Sequence, residues 1–162
     1  MKEKKLKLTI ELVPKSLWGF SIYRYYKNNN QLGKWKEIKD ELFEREGREC
    51  WICGDKRRRL EAHEFWEYDD IKHIQTLAAI HHLCFLCHKI KHIGRTFTKN
   101  GRRELAEIGL TPDDIIRHFC EVNQCPISDF QQHASKAKRI WNERNKFTWK
   151  QDLGNYEPGH SL

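Results

Sequence analysis

Cysteine pairs in the middle of the chain have the spacing of a metal site. Cys50 and Cys53 form one C-x-x-C pair, and Cys84 and Cys87 form a second. This spacing lets both sulfurs of a pair bind one ion, and four thiolates complete a tetrahedral shell. The sequence therefore predicts a structural zinc ion held by all four cysteines, with no open position for chemistry. A redox-active C-x-x-C is the alternative, but it would need a thioredoxin-like βαβ pattern, which the sequence lacks.

Two histidines follow the second cysteine pair closely. If the segment after Cys84 is helical, His88 and His92 lie one turn apart on the same face, while Cys87 is rotated by about 100° from His88. One helix could thus give a sulfur to zinc and two imidazoles to a second ion. His63, between the two cysteine pairs, is the candidate third ligand. For His88 and His92 the alternative is that they are ordinary surface or core histidines on a zinc-anchored helix.

In order and spacing, these residues resemble the HNH, or ββα-metal, nucleases, in the subgroup stabilised by a C-x-x-C…C-x-x-C zinc site. The resemblance covers 50–95 and rests on LEAHE at 60–64 and LCFLCHKIKH at 83–92. It implies a β-hairpin followed by a helix, and the hydrolysis of phosphodiester bonds in DNA. It also implies three ligands for a catalytic divalent ion, namely His63, His88 and His92. Mn, Mg, Ni or Zn could serve as that ion, with Mg the poorest match to imidazole ligands.

The general base departs from the pattern of these nucleases. They place a base one residue after the first metal ligand, and this chain has Glu64 there instead of the usual His. Their central Asn is replaced here by Ala79. Either Glu64 acts as the base, or His63 is itself the base and Asp69 or Asp70 completes the metal shell. The bond that orients the base is then either absent or made by another side chain, for which the candidates are Gln75, His81 and His82.

The charge of the chain fits a polyanionic partner, with DNA the expected one. Its 162 residues carry a formal net charge of +7, from 30 Lys and Arg against 23 Asp and Glu. Basic residues follow the first cysteine pair and surround the histidine helix. The predicted phosphate contacts are Arg57, Arg58, Arg59, Lys89, Lys91 and Arg95. A solvated charge run is the alternative for the first three, and none of the six implies sequence specificity.

Composition argues against several other classes of protein. Six Trp and eight Phe indicate a packed fold instead of a disordered chain. No apolar run is long enough to span a bilayer, and the N-terminus lacks the apolar core of a secretory signal. We therefore expect a cytoplasmic protein with reduced thiols. One more group of possible ligands consists of Cys120, Cys125, His118 and His133. We expect its two cysteines to be free thiols, and a further zinc site is the weaker alternative.

Hydrophobic periodicity predicts the elements that position these residues. The predicted elements are a strand over 5–13, an aromatic and extended or irregular segment over 18–26, and helices over 35–46, 110–123 and about 128–147. Thr111 as the N-cap, followed by Pro112 and two acidic residues, predicts where the second of these helices begins.

We expect a single α+β domain, with a zinc-stabilised ββα-metal (HNH) core, an N-terminal strand and helix, and C-terminal helices. Its parts would be 1–49 packing on the core, 50–95 as the core, 96–150 as a helical extension and 151–162 as a tail. The expected function is that of a metal-dependent HNH-type endonuclease. A catalytically inactive, zinc-bound nucleic-acid-binding module is the alternative, which the changes at Glu64 and Ala79 favour. A zinc domain that binds an acidic protein is the third hypothesis.

Overall fold

The structure, a computed structural model, describes residues 5–157. These residues form seven α-helices, one three-stranded sheet and two short 3-10 turns, at Lys15–Leu17 and Gly154–Tyr156. The predicted mixed α+β class is confirmed. None of the helices in 5–157 is both long and apolar enough to cross a membrane.

An antiparallel hairpin forms the centre of the sheet. Strand β1 (Leu60–Asp69) pairs with strand β2 (Ile74–Cys84) along its whole length, with a register shift between Phe65 and Trp66. Irregularities of this kind increase the local twist of a hairpin. A short third strand, β3 (Lys150–Asp152), pairs in parallel with the start of β2. The strand order β1-β2-β3 leaves β1 at an edge of the sheet.

Seven helices surround the hairpin. In chain order they are α1 (Ile22–Asn28), α2 (Leu32–Glu46), α3 (Phe85–Lys91), α4 (Ile93–Thr96), α5 (Lys99–Glu107), α6 (Pro112–Asn123) and α7 (Ile127–Arg144). Helices α2, α6 and α7 confirm the three predicted helices, with boundaries that differ by three residues at most. Helix α6 begins with the expected cap, because Thr111 and Asp114 form a reciprocal capping box. Strand β3 and helix α5 were not predicted.

The segment 5–13 is not a strand. Its alternating pattern correctly marks burial, since Leu8 and Ile10 are both buried. Its backbone, however, pairs with side chains instead of with another strand of the described range. The amide of Leu8 donates to Oδ1 of Asn123, and that of Ile10 donates to Nε2 of His133. Side chains of α6 and α7 thus satisfy the donors that a strand would have placed in a ladder.

The segment 18–26 was predicted to be extended or irregular, and its second part instead begins a helix. Ser21 caps α1 by accepting a hydrogen bond from the amide of Arg24. Ile22 and Tyr26, one turn apart, are buried in the core that α1 shares with α2. A helix of only seven residues shows its apolar stripe at two positions, which is too few for a periodic pattern.

Two hydrophobic cores pack against the hairpin. The larger core contains residues of the N-terminal segment, the cysteine region, α3, α5, α6 and α7. The smaller core joins α1 and α2 to Leu77 and Ile80 of β2. Strand β1 contributes to both, with Phe65 in the larger core and Trp66 in the smaller one. Side chains alternate between the two faces of β1, so only residues on the same face as His63 can contact it.

Candidate functional site

The four predicted zinc cysteines converge. Cys50 and Cys53 lie in the turn between α2 and β1, Cys84 ends β2, and Cys87 lies in the first turn of α3. Their four sulfurs lie within 4.8 Å of one another, and all are free thiols. Gly54 completes the first turn, because its φ is 75° and its amide donates to the carbonyl oxygen of Cys50 at 2.8 Å. This cluster could hold a structural zinc ion.

The electrostatics of the cysteine cluster call for a cation. Burial raises the pKa of Cys53, and the side-chain contact with Cys50 raises the pKa of Cys84 to about 12. The contacts with Cys84 and Cys87 instead lower the pKa of Cys50. One thiolate therefore forms readily, and its charge opposes ionisation of the other three thiols. A bound divalent ion reverses this preference, since it binds the thiolate form.

His118 of α6 extends the cysteine cluster and was not predicted to do so. Its Nε2 lies 3.2 Å from Sγ of Cys87, and the side chain is buried. Burial lowers the pKa of His118, which leaves a neutral ring able to donate to a thiolate. Such outer hydrogen bonds orient metal ligands.

The weaker alternative of a further zinc site does not form. His118 contacts Cys87, whereas His133 accepts the amide of Ile10. Cys120 and Cys125 are half-buried, and neither forms a disulfide. Within residues 5–157, the only groups of three or more side chains close enough to share an ion are the four cysteines and one set of histidines.

That set consists of the three predicted imidazole ligands. His63 projects from β1, His88 from α3, and His92 from the residue that caps the C-terminus of α3. One ligand atom of each lies within 4.8 Å of the others. The ring centroids of His88 and His92 are 4.6 Å apart, and that of His63 lies 5.1 and 4.9 Å from them. Because His63 is buried and His92 exposed, the cluster opens to solvent on one side.

All three rings favour the neutral form. Burial lowers the pKa of His63 well below its ordinary value, and nearby His92 and His88 lower it further. Loss of hydration also lowers the pKa of His88 and of His92 to about 4. For His92, at the solvent side of the cluster, the neighbouring His88 and the charges of Arg95 and Lys89 lower it further. A neutral imidazole keeps the lone pair that a metal ion requires. The donor set therefore suits a divalent ion near neutral pH.

Glu61 orients this cluster, and sequence analysis missed it. One of its carboxylate oxygens lies 2.7 Å from Nδ1 of His88. A bond at Nδ1 leaves Nε2 of His88 as the ligand atom, which is the usual arrangement of a carboxylate behind a metal-binding histidine. Glu61 and His63 are two residues apart on β1, so both side chains leave the same face.

Glu64 does not face the imidazoles. Neighbouring residues of a strand point to opposite faces, and Oε1 of Glu64 accepts a hydrogen bond from the amide of Ile22 at 2.6 Å. Burial raises the pKa of Glu64 to about 7. The structure thus places this carboxylate against the first residue of α1, on the other side of the strand from His63.

The two aspartates considered as metal ligands lie at the turn of the hairpin. Asp69 accepts hydrogen bonds from two backbone amides of that turn. Asp70 forms a two-bond ion pair with Arg144 of α7, at 2.7 and 3.0 Å. Asp69 is six residues from His63, a strand length of roughly 20 Å. Neither aspartate belongs to the histidine cluster.

His81 shares the face of His63. The two residues are cross-strand partners. The ring of Phe65 contacts both, with 5.5 Å between its centroid and that of His63 and 5.0 Å between its centroid and that of His81. Nδ1 of His81 lies 2.8 Å from Oε1 of Glu46, at the end of α2. The imidazole also stacks on Trp51, with 4.0 Å between the ring centroids.

The other two candidates for orienting the base lie elsewhere. His82 stacks on Phe43 of α2, with 3.9 Å between the ring centroids. Gln75 is buried, donates to the hydroxyl of Tyr68 and accepts from the side chain of Gln151. Of the three candidates, His81 alone lies beside the histidine cluster.

The three predicted phosphate contacts in and after α3 are two residues at the surface and one buried lysine. Lys89 and Arg95 lie 3.5 and 3.2 Å from the carboxylate of Glu104. Lys91 was predicted to contact phosphate, but it is buried and its Nζ donates to Oγ1 of Thr9. An interior ammonium with this partner does not present its charge to solvent.

The basic loop after the first cysteine pair borders a different surface. Arg57 and Arg58 line an open depression of about 720 Å³ beside the cysteine cluster, and both pair with Asp55. Arg59 is exposed. These residues therefore flank the predicted zinc site, whereas Lys89 and Arg95 flank the histidines.

No protein-family model, curated protein or solved structure matches this chain.

Proposed function

We propose that this chain is a metal-dependent HNH-type endonuclease that hydrolyses phosphodiester bonds in DNA. The observation that carries the proposal is the convergence of His63, His88 and His92 into a cluster open to solvent. A divalent ion held there would polarise the scissile phosphodiester and stabilise the departing 3′ oxygen. Imidazole ligands suit Mn, Ni or Zn better than Mg, which prefers oxygen.

The chain's own residues supply the ligands and a place for phosphate. Glu61 fixes the ring of His88, so that Nε2 is available for the ion. Lys89 and Arg95 share one carboxylate, that of Glu104. These two cations offset Glu104 and the carboxylate of Glu61 beside His88. A divalent ion held by the imidazoles would therefore give the site its net positive charge, and a phosphate of the substrate would bind there.

His81 is our candidate for the residue that activates water. It leaves the same face as His63, and Glu46 holds its Nδ1. A proton on Nδ1 leaves Nε2 as an acceptor, the arrangement in which a carboxylate orients a general base. His63 as the base is the competing assignment, and it would leave only two imidazoles for the ion.

A catalytically inactive, zinc-bound nucleic-acid-binding module is the second candidate. Two features favour it: the carboxylate of Glu64 binds the amide of Ile22, and Ala79 has no side chain with which to orient a base. Such a module would need the cysteine cluster and the surface arginines, but no second ion.

Nicking of supercoiled plasmid by the purified protein, with Mn, Mg, Ni or Zn added in turn, tests the proposal. We expect nicking that is lost in His88→Ala and in His81→Ala. The second variant should still bind the second ion, because His81 is not a ligand. His73→Asn at the hairpin turn is the matched control, since Asn tolerates the positive φ found there. Salt-sensitive DNA binding without nicking under any metal would instead favour the inactive module.

A further inference from the structure

Two tryptophans far apart in the sequence form a rigid aromatic pair at the surface. The rings of Trp18 and Trp141 stack with 6.3 Å between their centroids and 21° between their planes. Both indole Nε1 atoms donate to one acceptor, the carbonyl oxygen of Val13, each at 2.9 Å. Trp18 is nevertheless 61% exposed. A hydrogen bond, and not burial, therefore holds the ring of Trp18 in place.

Two lysines lie over Trp141, the less exposed ring of the aromatic pair. Nζ of Lys138 lies 3.9 Å from the ring centroid of Trp141, and Nζ of Lys15 lies 5.2 Å from the same centroid. Neither ammonium forms an ion pair with a carboxylate of residues 5–157. The ring of Trp18 therefore stacks on a ring that carries two positive charges.

From this arrangement we infer a binding site for single-stranded nucleic acid, in which an unpaired base stacks on Trp18 and the adjoining phosphates lie against Lys15 and Lys138. A flat exposed ring beside cations is the arrangement that binds unpaired bases, because every base has a π face and every nucleotide carries a charge. A duplex hides the faces of its bases within the stack. The surface therefore distinguishes single strands from double strands.

Charge argues against a second copy of this chain as the occupant. The copy would carry the same lysines, and its net charge of +7 would oppose association through this surface. Phe20, two residues after Trp18, is 64% exposed and offers a second ring to a neighbouring base. A nucleic-acid strand satisfies both the rings and the ammonium groups.

The aromatic pair also lies near the β1–β2 hairpin, which carries His63. Ile22 lies four residues after Trp18, and its amide is bound by Glu64, the neighbour of His63. Four residues span roughly 14 Å at most, so the stacking surface lies close to β1. The inference shares the nucleic-acid partner with the proposed function, but it does not depend on cleavage.

Fluorescence anisotropy with a labelled oligothymidylate of about 20 nucleotides, longer than typical single-strand sites, tests the inference. A duplex of the same length is the comparison, and no divalent ion is added to either. Trp18→Ala should weaken single-strand binding by about tenfold, the effect typical of losing one base stack, and leave duplex binding unchanged. Trp18→Phe should restore most of the loss. Phe147→Ala removes another ring that is 50% exposed and should have no effect.

Salt dependence gives a second measurement that does not depend on the fold of a tryptophan variant. Replacing Lys15 and Lys138 together by Gln should reduce the slope of log K against log salt by about 1.4, two phosphate contacts on a single strand. The inference is overturned if Trp18→Ala binds oligothymidylate like the wild type, or if it loses duplex binding equally. It is also overturned if the only change is loss of self-association in gel filtration. His88→Ala should bind oligothymidylate normally, so failure of the nuclease proposal is distinguishable from failure of this one.

Discussion

A carboxylate oxygen of Glu61 lies 2.7 Å from Nδ1 of His88. This bond joins the first strand of the hairpin to the helix that follows the second strand. Three imidazoles could be near one another by chance, but a carboxylate that orients one of them is typical of a metal site.

Glu61→Ala should weaken binding of the second ion by roughly 10- to 100-fold, the usual cost of losing the partner of a histidine ligand. The cysteine cluster should keep its zinc, since Glu61 does not contact it. Titration of Mn or Ni into zinc-loaded protein measures the affinity. Glu67→Ala, an exposed carboxylate on the same strand, is the matched control. Equal affinities for the two variants would show that Glu61 does not orient His88.

Cys87→Ser should release the structural zinc and abolish cooperative thermal unfolding. Cys87 is fully buried in the larger core, where α3 packs on α6. Structural zinc supplies about 10–16 kcal/mol of apparent binding energy in small domains, and this energy is coupled to folding. Cys120→Ser, at a half-buried free thiol packed against the same core, should melt within a few degrees of the wild type. Calorimetry and zinc content measure the two effects together, and similar melting of both variants would contradict a structural ion.

Acid unfolding should reveal the contact between Glu46 and His81. Burial alone would raise the pKa of Glu46, but hydrogen bonds from Arg45 and His81 outweigh it and hold the pKa below the ordinary value of 4.5. The unfolded chain therefore binds this proton first as the pH falls. Stability from Glu46 is complete above about pH 4.5 and is lost as the pH falls through the folded-state value. Glu46→Gln should flatten the pH dependence of urea unfolding in that range, whereas parallel curves would show that the bonds do not hold in solution.

The sequence predicts both clusters because their ligands come from local patterns. Each cysteine pair is a single turn, and His88 and His92 are one helical turn apart. A hairpin and the helix after it are consecutive along the chain, so a short motif contains all seven side chains.

Contacts made by the rest of the chain could not be predicted in the same way. The amides of the N-terminal segment pair with Asn123 and His133, more than a hundred residues away. The alternation of that segment predicts burial correctly and its hydrogen-bonding partner wrongly. Glu61 and Glu46 carry no motif, because carboxylates are common on any surface. Only the register of β1 and β2, and the end of α2 beside them, brings these two residues to His88 and His81.

Metal content per chain tests the central claim most directly. The protein would be loaded with zinc and manganese, dialysed and analysed for elements, together with His63→Ala and Cys87→Ser. The account predicts two bound ions in the wild type and one, the zinc, in His63→Ala with its fold intact. One ion in both the wild type and His63→Ala would show that the three imidazoles hold no metal and would contradict the proposed hydrolase.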